Sequence, residues 1–519
     1  MGENRRIAKN TIFLYFRMML VMFVGLFTSR ITLRVLGVED FGLQNVVGGI
    51  VAMLGFLNSC AAGATSRFLT FALGQSNNFT TNFQEKYDYR ETFSAAFVIH
   101  VAIAIVIVFL AETIGLWYLE NKLVVPEGRE YAAMWMYQLS VISILITFTQ
   151  VPYAASIIAH ERMNIYAYMG VVDAGLKLLN AYLLMIAPFD KLIFISSWTF
   201  LQTTAMAIFY RVYCVRKFGE TCKLKVVLKK DLYKRLLSYS GWDLIGNFGG
   251  VARSQGVNLM LNFFFGPTVN AARGVVSSVE NALESFTNNF LTAVRPALIK
   301  NYAAGNITRM LNMTYESAKF SSLLYAGLAM PLIIDSNQVL RLWLGTPPEH
   351  SPIFLRIVLF NFIWVQINKC LIMAVHATGD VKRLNIIAGS KIFLDLPIIY
   401  ILLKLGFPAY SALLVFVVGA FIVMLLDGYV LKLNEPKFKM SDFIVKVLLT
   451  VICILVVPSV CAIMVHKSII APDFMHLIIV CAAFWCLLLP FVYFFALPEA
   501  IKARVQMKFS KYQLSFAKN

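Results

Sequence analysis

Apolar stretches long enough to span a bilayer recur along this chain from Ile12 to Ala496, separated by short polar gaps. A hydrocarbon core needs roughly 20 apolar residues per helix. On that criterion the pattern predicts about fourteen transmembrane helices, at 11–36, 41–73, 91–119, 131–158, 165–187, 190–213, 240–265, 270–299, 314–336, 351–376, 384–404, 408–431, 442–465 and 474–497. No gap exceeds roughly 25 residues, which leaves no room for a large soluble domain. The expected fold is therefore an all-α integral membrane protein.

The basic residues in the gaps set the orientation. With the N-terminus placed in the cytoplasm, inside loops hold about 27 Lys and Arg and outside loops about five, among them Lys122, Arg129 and Lys467. By the positive-inside rule both termini are then cytoplasmic. The longest basic loop follows the sixth span and divides the first twelve into two sets of six. Two such sets share an orientation and are related by an axis along the membrane normal. The expected organisation is a six-helix lobe at 1–215, a basic linker at 216–238, a second lobe at 239–432 in pseudo-two-fold repeat, and two additional helices with a basic tail at 433–519. Leu36-Gly37 and Phe265-Gly266 close spans one and seven, and Ala159 and Ala377 open matching cytoplasmic turns. At the second offset Asp173 falls on Lys391 and Lys177 on Asp395, an i,i+4 Asp/Lys pair in each half with the order reversed.

Composition narrows the function classes. Charged residues make up 14% of the chain and hydrophobic residues 59%, against about 25% charged in soluble proteins. The net charge of +18 lies in short loops, so it reads as topology and lipid-headgroup contact and not as nucleic-acid binding. The eight Cys are scattered without CxxC spacing, which argues against zinc or a disulfide framework. His160-Glu161 lacks the second His of a zinc-protease motif, and there is no phosphate-binding Gly-Lys-Ser/Thr loop. The N-terminal apolar run reads as an uncleaved first span.

Ionisable residues inside spans are costly and usually face a cavity or a partner. In the eighth span Arg273, Ser277, Glu280, Glu284, Thr287 and Arg295 fall within about 80° at the helical period, a polar stripe suited either to a water-filled path or to buried ion pairs. The first span carries Arg17, Arg30 and Arg34, of which Arg34 can snorkel to the headgroups. Span seven adds Arg253 and Asp243, and span ten adds Lys369. Across spans one, seven and eight Arg outnumbers acid about two to one. An Arg excess suits an anion, because a guanidinium grips phosphate through paired hydrogen bonds. Asp173, Asp243, Glu280, Glu284 and Asp395 are candidates for coupling to a proton or sodium gradient; beside Lys177 and Lys391, Asp173 and Asp395 read more readily as structural pairs.

The run Arg30 to Leu43, RITLRVLGVEDFGL, resembles the first-span signature of the polysaccharide-exporter branch of the multidrug/oligosaccharidyl-lipid/polysaccharide exporter superfamily, matching it at Arg34, Leu36, Gly37, Glu39, Asp40, Phe41, Gly42 and Leu43. The stretch Ala377 to Ile398 with Leu405-Gly406 is similar to that family's turn and helix before its twelfth span. At Gly266-Pro267-Thr268-Val269 the chain departs from the pattern by lacking an acidic pair. The resemblance implies a non-enzymatic flippase in the bacterial cytoplasmic (inner) membrane. Its substrate would be a polyisoprenyl-pyrophosphate-linked oligosaccharide for O-antigen, capsule or lipopolysaccharide, moved by alternating access. No cofactor is implied; membrane lipids, a polysaccharide polymerase and other assembly proteins are the implied partners. The substrate-binding candidates are Arg30, Arg253 and Arg273 for the pyrophosphate, with Arg34 and Arg295 at the two mouths. Rival readings are a cation-coupled multidrug exporter of the same fold, a lipid II flippase for peptidoglycan and a membrane-embedded glycosyltransferase or ligase. The drug exporter would place its main carboxylates in spans one and seven, and span one has none.

Overall fold

The computed structural model describes residues 2–54, 88–160, 162–378 and 381–497, with seven scattered residues between 62 and 73 and Lys502. Among them the chain is helical, with no strand. The long helices are α1 (Gly2–Leu54), α2 (Tyr89–Asn121), α3 (Glu130–Ala159), α4 (Met163–Ile186), α5 (Lys191–Phe218), α6 (Lys230–Phe265), α7 (Pro267–Ala303) and α8 (Ile307–Ile334). A short α9 (Ser336–Leu344) precedes α10 (Ser351–Thr378), α11 (Val381–Lys404), α12 (Ser411–Asn434), α13 (Met440–Ser468) and α14 (Asp473–Ala496).

Ten of these helices are long and apolar enough to cross a membrane. The first of them, α1, carries two of the predicted spans, the second of which runs on into residues outside the description. Three further helices, α6, α7 and α11, have spanning length but are less apolar. They carry Arg253, Arg273, Glu280, Glu284, Lys391 and Asp395, whereas Arg30 and Arg34 lie on α1, Asp173 and Lys177 on α4, and Lys369 on α10. The side chains of Arg17 and Asp243 lie outside the described residues.

The helix breaks follow from backbone chemistry. Gly37 sits at φ 80°, ψ 176° within α1, and Gly266 at φ 78°, ψ −175° between α6 and α7. Only glycine occupies this region without strain. The two glycines that the sequence places at corresponding positions, 229 residues apart, thus make the same turn. Pro267 follows as the first residue of α7, where its missing N–H costs no hydrogen bond.

By packing, the chain forms two units, Met1–Val279 with Ile392–Ala412, and Glu280–Lys391 with Leu413–Asn519. The division cuts α7 and α11 instead of following the basic linker, because α6 and the first third of α7 pack on α1. These packing units differ in their bounds from the segments 1–215 and 239–432 expected from the sequence. In the first unit Leu43, Val46, Val47, Tyr137 and Leu192 form one apolar core, and Phe93, Tyr153, Ile157 and Cys214 another. In the second, Tyr315, Leu371, Phe438 and Phe443 belong to one larger core.

Candidate transport site

In the first unit one guanidinium ties the turn after Gly37 within α1 to the starts of α3 and α5. Arg129, just before α3, donates from Nε to Asp40 Oδ1 at 2.7 Å and forms ion pairs with Asp40 and Asp190. Asp190 also caps α5, accepting from the backbone N–H of Leu192 at 2.9 Å and of Ile193 at 3.1 Å. Burial pushes the Asp190 carboxyl up, but the Ile193 N–H and Arg129 outweigh it and hold it below its ordinary range. The acidic turn of the RITLRVLGVEDFGL signature therefore has a structural partner in Arg129.

A polar seam within the same unit joins residues before the basic linker to residues after it. The Tyr118 hydroxyl donates to the Leu259 carbonyl at 3.1 Å, and the Val124 N–H donates to Asn262 Oδ1 at 2.8 Å. The Oγ atoms of Ser29 and Ser278 are hydrogen-bonded at 3.0 Å. Gly42 meets the start of α7 backbone to backbone: a Cβ there would stand 1.9 Å from the Pro267 carbonyl oxygen. At Gly274 a Cβ would lie 2.5 Å from the Asn45 carboxamide. Small residues permit such approach between membrane helices. Near the turn that lacks the acidic pair, Asn262 supplies the polar contact.

The arginines occupy different settings. Arg253 on α6 pairs with Asp395 on α11 at 3.1 Å; the carboxylate is fully buried and the Arg253 side chain 22% exposed. Gly256, one turn along, lets Leu396 approach to 2.9 Å from where a Cβ would stand. Arg273 on α7 is buried at 7% exposure. Arg30 is partly buried and Arg34 exposed. Asp173 and Lys177 form the expected i,i+4 ion pair at 2.9 Å, with Gln202 Nε2 donating to Asp173 Oδ1 at 2.8 Å.

In the second unit Lys369 on α10 pairs with Glu284 on α7 and donates to Asn288 Oδ1 at 2.9 Å. Glu280 is partly buried, Lys391 buried and Arg295 exposed. Sequence reasoning missed Asp427 on α12, a carboxylate only 1% exposed; an acid closing the apolar run that starts at Ala412 was the available signal. Between α13 and α14 lies a groove of about 400 Å³ with apolar walls that include Val445, Leu449, Ile454, Phe491 and Phe495.

No protein-family model matches this chain, and no curated protein matches it. Solved structures do. A lipid II flippase, MurJ, in an inward closed conformation is similar at TM-score 0.68 and 13% identity, covering 94% of this chain and 98% of that one. An inward-facing multidrug resistance MATE transporter of the MOP superfamily is similar at TM-score 0.63 and 10% identity, over 82% of this chain and 96% of that one. An outward-facing MATE transporter of the same superfamily gives 0.58 and 13%, over 84% and 96%. The chain has the fold of MOP-superfamily transporters. At these identities the likeness speaks for architecture alone. It agrees with the all-helical, multi-span membrane fold expected from the sequence.

Proposed function

We propose that this MOP-fold protein is a flippase for a polyisoprenyl-pyrophosphate-linked oligosaccharide, acting by alternating access in a bacterial cytoplasmic membrane with both termini inside. The observation that carries the reading is the excess of Arg within membrane-embedded helices, above all Arg253 and Arg273, together with the absence of any carboxylate in span one. A diphosphate offers several anionic oxygens, and a guanidinium binds two of them at once in a fixed plane. A cationic drug would meet repulsion from the same side chains.

In this reading Arg30, Arg253 and Arg273 hold the pyrophosphate, while exposed Arg34 and Arg295 attract it at the two mouths. The polyisoprenyl tail stays in the bilayer, where the groove between α13 and α14 offers it apolar walls. The seam through Ser29–Ser278, Gly42–Pro267 and Asn45–Gly274 acts as the outer gate and must part for release. Glu280 and Glu284 are the proposed coupling carboxylates, with Lys369 holding Glu284 between turnovers. Coverage favours a flippase over a drug exporter: the MATE structures leave 16–18% of this chain unmatched, about the size of segment 433–519, whereas the MurJ structure leaves 6%. Lipid II remains the second candidate substrate on that ground.

The test is binding by the purified protein. Native mass spectrometry in detergent should retain a polyisoprenyl-pyrophosphate glycan on the wild type and lose it on Arg273→Ala. Equal retention by the variant, or preference for a cationic dye over the lipid, would overturn the assignment.

A further inference from the structure

A second constellation in this chain uses residues that the transport reading leaves idle. Asp335 ends α8, His466 lies in the last turn of α13, and His476 in the first turn of α14. All three belong to the same packing unit, at helix ends that the loop charges place outside. Only Ile469 to Pro472 separate the two helices of this hairpin, so the two imidazoles are brought back to one carboxylate by a short turn.

The donors converge. His476 Nδ1 lies 3.0 Å from Asp335 Oδ2, and His466 Nδ1 lies 3.3 Å from Asp335 Oδ1. One ligand atom from each residue falls within 4.8 Å of the other two. Asp335 is fully buried, His476 nearly so, and His466 is 28% exposed in its side chain. Two ligands about 2.0–2.1 Å from a tetrahedral metal stand roughly 3.3 Å apart, so the cluster has the dimensions of such a site. The Nε2 of His476 faces the His466 carbonyl oxygen at 3.2 Å. A metal-bound imidazole commonly donates its other N–H to such a carbonyl, which fixes the tautomer and the ring plane.

An ion pair alone accounts for only part of this. It satisfies His476, whose two ring nitrogens both face oxygen acceptors. It leaves the buried His466 Nδ1 and Asp335 Oδ1 aimed at one another without a hydrogen bond. Two buried polar atoms without that partner are costly, and a cation between them satisfies both.

We propose that Asp335, His466 and His476 form a binding site for a divalent transition metal of the zinc class. Two imidazoles and a carboxylate are ligands that such ions prefer over magnesium or calcium. Binding replaces the Nδ1 proton of His476, which leaves to solvent, and the fourth position opens past the half-exposed His466. The site staples the hairpin α13–α14 to the end of α8.

The full-length protein, purified through a non-histidine tag and stripped with chelator, is incubated with Zn²⁺ alone, desalted and assayed for bound metal. The wild type should keep about one zinc per chain, and Co²⁺ in its place should give the visible absorption of a tetrahedral ion. His466→Ala removes a ligand outside the Asp335–His476 pair, so it should elute as the wild type does and bind zinc at least about 10–100-fold more weakly. Asp335→Asn and His476→Ala should lose the metal as well. A wild type that retains no zinc, or a folded His466→Ala variant that binds it as tightly, would overturn the site.

Discussion

Replacing Arg253 separates binding from folding. Its partner Asp395 is fully buried at 3.1 Å, and at an effective dielectric of about 20 the pair attracts by about 5 kcal/mol before desolvation. Desolvation of both ions cancels much of that, so the pair as a whole is worth little net. Removing one partner is another matter: Arg253→Met takes a cation away from beside a buried carboxylate, at a cost of about 3–5 kcal/mol. Asp395→Asn should cost less, because it removes the buried charge itself and Arg253 keeps some exposure. The double variant Arg253→Met/Asp395→Leu removes both charges and should recover most of the lost stability. The assay pairs apparent melting temperature in detergent with restoration of surface polysaccharide in a deletion strain. Arg253→Met should melt several degrees lower, the double variant near the wild type, and neither should restore polysaccharide. A stable double variant that restores it would show that Arg253 only neutralises Asp395. An Arg253→Met variant that melts like the wild type would refute the energetic reasoning itself.

Other consequences can be measured directly. Ser29→Cys/Ser278→Cys, in a background stripped of native cysteines, should crosslink under oxidation and block transport until reduced; full transport with the crosslink in place would exclude this seam as the outer gate. Gly37→Ala and Gly266→Ala should each destabilise by about 1–3 kcal/mol, read as lower melting temperatures, since neither position has a crowding neighbour within 3.4 Å and backbone strain dominates. Because the Asp190 carboxyl is held below its ordinary value of 3.8, its contribution is full above that value and is lost as pH falls through the lower folded value. Melting curves should therefore lose stability on acidification below about pH 4, and Arg129→Ala should flatten that loss. Glu284→Gln should uncouple transport from the ion gradient in proteoliposomes, whereas a coupling ratio equal to wild type would confine Glu284 to its pair with Lys369.

The spans were legible because a bilayer imposes length and apolarity on each helix separately. Gly37 and Gly266 could be matched from sequence because a backbone turn of this kind admits one residue type. The same logic identified Asp173–Lys177, whose partners lie one helical turn apart. What escaped the sequence depends on contacts between distant helices. Nothing local to Arg129 indicates Asp40 and Asp190 as its partners, and Arg253 meets Asp395 across 142 positions. Asp335 reads alone as a helix-end acid, and His466 and His476 as interface residues; only the hairpin turn and the end of α8 bring them together. The packing boundary inside α7 likewise follows from helix contacts that hydropathy does not encode.

The central claim is the substrate, and the most direct measurement is mass spectrometry of lipid extracts from a strain lacking the gene. A flippase for lipid-linked glycans predicts that a polyisoprenyl-pyrophosphate oligosaccharide accumulates while surface polysaccharide disappears, with both reversed by the wild-type gene and not by Arg273→Ala. Unchanged lipid-linked glycans with raised sensitivity to cationic dyes would contradict it and favour a drug exporter.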